Sequence, residues 1–262
     1  MLIQARSLRR CFGDLVAVSG FSLTVSAGEI FGLVGPNGAG KSTVVKMLTT
    51  LLPPTAGGAT VAGCDIATDP AGVRRAIGYV PQLLSTDGAL TGYENLLIFA
   101  KLYEIPRSLR EVRIDEALTF VQLQDAKDRQ VRTYSGGMIR RLELAVSLLH
   151  RPKVLFLDEP TVGLDPLARQ SIWRQILFLA QSRRTTVLMT THFMDEADAL
   201  CDRVGIMNRG EMAAVGAPAE LKAGAAGATL DDAFAFYTGN QLETAGGYHD
   251  AARTRRAAAR LG

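Results

Sequence analysis

The run Glu29–Val34 is continuous and apolar, of the kind that forms a buried strand. It stops at Gly35-Pro36-Asn37-Gly38-Ala39-Gly40, and a helical stretch, Lys41–Leu51, follows at once. With Lys41-Ser42 the break fits G-x-x-x-x-G-K-[ST], in the strand-before, helix-after setting that the motif needs. Glycines let a backbone wrap a phosphate, and the free N–H groups of the helix start point at its oxygens. Lys41 is then placed to reach the β- and γ-phosphates of a nucleotide. Ser42 is placed to ligate Mg²⁺, and Thr43 adds a further hydroxyl.

Apolar segments recur with helices between them. Leu15–Ser19 and Phe21–Val25 alternate around Gly20, Ile77–Val80 ends at Pro81-Gln82, and Val154–Leu157 and Thr186–Thr190 flank a helix over roughly 167–182. This alternation predicts an α/β fold with a parallel sheet. Arg203–Asn208 and Glu211–Val215, joined at Arg209-Gly210, predict a closing hairpin. Residues 83–134 change character to helices and loops, with capping boxes at Thr91/Glu94 and Ser108/Glu111, and read as a helical insert. From Ser135 the apolar Met138, Leu142, Ala145 and Leu149 share one helix face. Ala223–Ala228 reads as a loop and Leu230–Tyr237 as a last short helix. Residues 241–262 read as a frayed tail whose Arg253, Arg255, Arg256 and Arg260 are solvated rather than lipid-bound.

Further candidates lie at strand ends. Val154–Leu157 runs into Asp158-Glu159, where the first carboxylate can hold Mg²⁺ and the second can polarise an attacking water as general base. Alone, such a pair is an ordinary surface turn. His192 follows the strand 186–191, and Gln82 follows Ile77–Val80. Ligands of open α/β sheets bind at this carboxyl edge, so His192 is a candidate γ-phosphate contact and Gln82 a candidate Mg²⁺ ligand or water-orienting group. Phe12 is a candidate stacking surface for adenine. Tyr134-Ser135-Gly136-Gly137-Met138 opens a helix and offers a second phosphate-binding N-terminus.

A formal net charge of +3 is too mild to point to nucleic acid. Cys11, Cys64 and Cys201 form no CxxC pair and suggest reduced, structural thiols. No apolar run approaches the length of about 18 residues needed to cross a bilayer. The first residues lack a signal-peptide core, so a cytoplasmic chain is expected, with any membrane passage left to another chain.

Taken together, these residues resemble the ATP-binding subunits of ABC transporters, from about Leu2 to Leu221. Phe12 resembles the adenine-stacking aromatic, Gly35–Thr43 Walker A, Gln82 the Q-loop and Ser135-Gly136-Gly137 the signature. Val154–Glu159 resembles Walker B, Gly163-Leu164-Asp165 the D-loop and His192 the switch histidine, all in the family's order. The resemblance implies a P-loop NTPase of ABC type, with a RecA-like core sheet, an antiparallel β subdomain and a helical subdomain at about 83–150. It also implies an ATPase domain over 1–221 and a short C-terminal extension over 222–262. ATP and Mg²⁺ would lie between two copies, with Ser135, Gly136 and Gly137 of one copy facing the Walker motifs, Gln82 and His192 of the other. Asp165 would link the two sites, and the helical subdomain would dock on a membrane partner.

The signature departs from the commoner LSGGQ, because Met138 has no amide to offer. Tyr134-Ser135-Gly136-Gly137-Met138 with Arg140-Arg141-Leu142, Asn37, and Thr229–Phe234 near Thr238-Gly239 are similar to the daunorubicin-resistance-like ATPases that partner ABC-2-type permeases. That similarity implies a homodimeric exporter subunit on the cytoplasmic face of the membrane, acting on drugs, natural products or lipid-linked compounds. An importer ATPase is the alternative within transport. A soluble ribosome- or DNA-acting ATPase fits poorly, because the chain has one Walker A and no heptad run over 44–153.

Overall fold

The apolar run after Glu29 becomes β3 (Ile30–Val34), buried at every position, as are β7 (Val154–Asp158) and β8 (Thr186–Thr191). Strands buried on both faces need cover on both sides, and the computed structural model, which describes residues 1–239, supplies it. A six-stranded sheet runs β10-β9-β3-β8-β7-β6, with β6 (Ile77–Val80), β9 (Arg203–Asn208) and β10 (Glu211–Gly216) completing it. Its pairings are parallel except for the β9–β10 hairpin. This is the parallel sheet and closing hairpin expected from the sequence.

A second sheet, antiparallel, runs β2-β1-β4-β5 from β1 (Ile3–Phe12), β2 (Leu15–Val25), β4 (Ala56–Val61) and β5 (Cys64–Asp65). The two segments around Gly20 are one strand, β2, irregular in its pairing with β1 between Leu8 and Arg10. Between the sheets lies a core of Phe21, Phe31, Leu33, Val44, Met47 and Phe156. It includes α1 (Lys41–Leu48), which ends before Leu51 because Thr50 turns left-handed at φ +62. β4, rich in glycine, and α2 (Pro70–Ala76), capped by Asp69, carry little apolar periodicity and were not read from sequence.

The helical insert comprises α3 (Gly92–Leu102), α4 (Arg107–Phe120) and α5 (Gly136–Leu148). Thr91 and Glu94 form the expected reciprocal box. The box at Ser108/Glu111 does not form. Pro106 presets the backbone so that α4 begins at Arg107, which leaves Ser108 inside the first turn. Tyr134 is buried in the insert, its hydroxyl donating to the Ala126 carbonyl at 2.6 Å.

α6 (Pro166–Arg183) and α7 (Met194–Leu200) cover the other face of the parallel sheet. α8 (Pro218–Gly224) extends into the stretch read as a loop, and α9 (Leu230–Thr238) matches the last predicted helix. A division at 221/222 falls inside α8, whose Leu221 is buried in the main core along with Leu230 and Ala233 of α9. The basic tail lies outside the described residues. Cys201 is buried, and Cys11 and Cys64 are half-buried; all three are free thiols.

Candidate functional site

Parallel pairing decides which strand ends meet. β3, β8, β7 and β6 are neighbours, with Val34 beside Thr191, Asp158 beside Thr190 and Val80 beside Leu157. Their carboxyl ends therefore bring Gly35, His192, Glu159 and Gln82 to one edge of the sheet, although they lie far apart in sequence.

The glycine loop leaves β3 with no room for a side chain at its two end glycines. A Cβ at Gly35 would collide with the Met207 carbonyl oxygen of β9. At Gly40, with φ +100, a Cβ would stand 2.6 Å from the Ala17 carbonyl oxygen of β2. Lys41, the first residue of α1, is buried and folds back, donating from Nζ to the carbonyls of Gly35 (2.7 Å) and Pro36 (3.0 Å). Its pKa is lowered by burial, against which the Glu159 carboxylate pulls upward.

Asp158 and Glu159 divide the strand end between them. Asp158 Oδ1 accepts from Ser42 Oγ at 2.9 Å and from Thr190 Oγ1 at 2.6 Å. Glu159 then turns left-handed (φ +51), a costly conformation for a residue with a Cβ. Its N–H donates to the carbonyl (3.1 Å) and hydroxyl (3.0 Å) oxygens of Thr190, which hold the turn. The turn sends the Glu159 carboxylate among three groups: Lys41 Nζ at 3.6 Å, Gln82 Nε2 at 3.3 Å and His192 Nδ1 at 3.5 Å. Glu159 is only 5 % exposed, so water screens these contacts weakly. Burial, and then the Asp158 charge, push the neighbouring Tyr79 hydroxyl up to about 12.

These groups suit Mg²⁺ and a nucleotide. Ser42 and Asp158 present hard oxygens in mutual contact, the sparse protein set that Mg²⁺ takes beside phosphate oxygens. Thr43 follows on α1, half-buried, and Pro36, Asn37 and Gly38 form the exposed rim of the loop, with Ala39 buried beneath. Phe12 closes the β1–β2 hairpin opposite Leu15, 47 % exposed, with the Arg10 guanidinium 4.7 Å from its ring centre.

Ser135, Gly136 and Gly137 are not brought into this cluster. Ser135 caps α5, accepting from Met138 N at 3.3 Å, and both Ser135 and Gly136 are exposed. The turn packs instead on the segment around Asp165: a Cβ at Gly137 would stand 2.7 Å from Ala168 Cβ. Asp165 caps α6 through Leu167 N and Ala168 N.

Three participants escaped the sequence reading. Thr190 joins both carboxylate residues, and its place on a strand neighbouring β7 was its only signal. Arg140 binds the Pro81 and Gln82 carbonyls, and Glu143 binds the Ser85 and Thr86 N–H groups just after them. An Arg and a Glu three residues apart on a helix with few other polar residues were the available hint.

A model of the ABC transporter family matches residues 18–162. The chain is 44% identical to a daunorubicin/doxorubicin resistance ATP-binding protein of Streptomyces peucetius, over 84% of this chain and 66% of that protein. It is also 44% identical to a Nod factor export ATP-binding protein of Rhizobium sp., over 84% of this chain and 72% of that one. Among solved structures, an ABC transporter component from Clostridium perfringens superposes with a TM-score of 0.77 at 28% identity, covering 85% of this chain and 90% of that one.

Proposed function

The chain belongs to the ABC transporter family, and from that membership we propose that it is the ATP-binding and ATP-hydrolysing subunit of an ABC-2-type exporter, working as a homodimer on a separate permease. The observation that carries the reading is the convergence of Lys41, Gln82 and His192 on Glu159, directly above the Ser42–Asp158 pair. Gly35–Gly40 wrap the phosphates with backbone N–H groups, Lys41 neutralises the β- and γ-oxygens, and Phe12 stacks on adenine. Ser42, Asp158 and Gln82 would hold Mg²⁺, which would supply charge neutralisation on the phosphate oxygens. Glu159 takes the proton of the attacking water, and His192 contacts the γ-phosphate.

Ser135, Gly136 and Gly137 serve the site of the second copy, and Asp165 communicates between the two sites. A helix start whose Gly136 and Gly137 N–H groups meet no side-chain cap, and with no acid in its first turn, suits a phosphate delivered from outside the chain. No helix among the described residues is long and apolar enough to cross a membrane, so attachment to the cytoplasmic face falls to the permease. Leu83, Leu84, Ile98, Leu102, Leu109 and Val112 are exposed on the helical insert and the loop before it, and these apolar side chains are the ones suited to that docking. Equal identity to a drug-resistance protein and to a Nod factor exporter favours export and leaves the cargo to the permease.

The test is Glu159→Gln in the full chain. With Mg-ATP the variant forms a dimer visible by light scattering, while its turnover falls at least about 100-fold below that of the wild type. Turnover at the wild-type rate would remove Glu159 as general base; a chain that stays monomeric with ATP would remove the sandwich.

A further inference from the structure

α5 carries two buried charged side chains that do not pair with each other. Arg140 is 6 % exposed and donates from Nη1 to the Pro81 carbonyl (2.7 Å) and from Nη2 to the Gln82 carbonyl (3.0 Å). Glu143 is 2 % exposed and accepts from Ser85 N (2.7 Å), Ser85 Oγ (2.9 Å) and Thr86 N (2.8 Å). The two charges are thus spent chiefly on the backbone of the first half of the loop between β6 and α3, whose second half is held elsewhere, by Arg132 N on the Gly88 carbonyl and Val131 N on the Leu90 carbonyl. Next along, Asn95 of α3 holds Asp87 through both backbone groups.

Burying a guanidinium and a carboxylate is expensive, and an apolar helix face would stabilise the insert at lower cost. What these groups supply is position. Arg140 has a rigid planar fork that spans consecutive carbonyls, which a lysine cannot reproduce. The residue it grips by the main chain, Gln82, sends its side-chain amide to Glu159 at 3.3 Å. Between the two gripped ends, Leu83 and Leu84 face outward, 82 % and 54 % exposed.

We propose that Arg140 and Glu143 are positioning residues that clasp the Gln82 loop to the helix beginning at Ser135, so that Gln82 and the signature turn move as one body. The proposal rests on the ATPase reading above. Pressure on Leu83 and Leu84 is then felt at both half-sites of α5 and Gln82 together, rather than absorbed by a soft loop.

The experiment is Mg-ATP turnover of the full chain carrying Arg140→Gln or Glu143→Gln, alone and combined with Gln82→Ala. Each single variant is expected to lower kcat about tenfold with the KM for ATP little changed, because a misplaced group costs rate more than binding. Arg140→Lys is expected to recover part of the loss. In the Gln82→Ala background neither variant lowers kcat further, since residues acting as a unit are not additive. Losses of full size in that background, or wild-type kcat in both single variants, overturn the clasp. A wild-type chain that fails to turn over Mg-ATP would count against the ATPase reading instead. Amide exchange at Ser85 and Thr86 then decides the clasp by itself: faster exchange in Glu143→Gln supports it, and unchanged exchange overturns it.

Discussion

α1 and α5 begin alike and end up in different company. Each starts beside glycine, and neither has an acidic residue in its first turn, so each presents the positive end of its dipole, although at α5 the Met138 N–H is already taken by Ser135 Oγ. At the start of α1 the fold gathers Lys41, Asp158, Glu159, Gln82 and His192 from one chain. At the start of α5 it gathers only Ser135 and glycine, packed on the Asp165 segment and open to solvent. The same local physics therefore yields one helix start crowded with charged side chains and another that offers little beyond its own backbone. In the proposed sandwich each start completes the other across two copies.

The largest expected effect comes from making the two starts differ further. Gly136→Asp puts a carboxylate at the α5 start, where a Cβ meets only Leu164 Cδ2 at 3.9 Å. The helix gains stability of about 0.3–1 kcal/mol from the charge–dipole term, so melting should not fall. Turnover should nonetheless drop by at least about 100-fold, with ATP binding to the monomer unchanged, because the added carboxylate repels the phosphate that this helix start receives in trans. Retained turnover would sink the division of labour between α1 and α5.

A smaller effect is expected at Thr190, which braces the α1 site alone. Thr190→Val removes the hydroxyl that donates to Asp158 and accepts from Glu159 N, a buried loss worth about 1–3 kcal/mol in chemical unfolding. Turnover falls with it, while ATP-dependent dimerisation in the Glu159→Gln background persists. If dimerisation fails too, the two starts are more tightly coupled than the geometry implies.

The smallest effect belongs to Thr91, which contacts neither the Lys41 cluster nor Ser135. Thr91→Ala should lower the melting temperature by about 2–4 °C and leave turnover unchanged. The Thr91 N–H, and then its hydroxyl, hold the Glu94 carboxyl below its ordinary value. A depressed carboxyl contributes fully above its unfolded pKa, and the contribution is lost as pH falls through the lowered folded value. The variant should therefore show a shallower acid limb in a plot of melting temperature against pH.

Much of this was legible because it is local. The glycine loop before Lys41, the apolar runs of β3, β7 and β8, the Thr91 box and the α5 face are set by neighbours within a few residues. The Ser108 box misled for a local reason as well: Pro106, two residues earlier, starts the helix first. Thr190, Arg140 and Glu143 stayed hidden because their partners lie 31 to 59 residues away.

By itself the sequence determined the strand–loop–helix around Gly35–Ser42, the order of the motifs and the glycine-flanked start of α5, since these follow from steric freedom and periodicity along the chain. The tertiary structure alone decided that β6, β7, β8 and β3 lie side by side. That order makes Glu159, turned left-handed over Thr190, the meeting point of Lys41, Gln82 and His192. It also decided that α5 grips the Gln82 loop. Parallel pairing and buried polar contacts act between residues distant in sequence, and their free energy exists only once the sheet has closed.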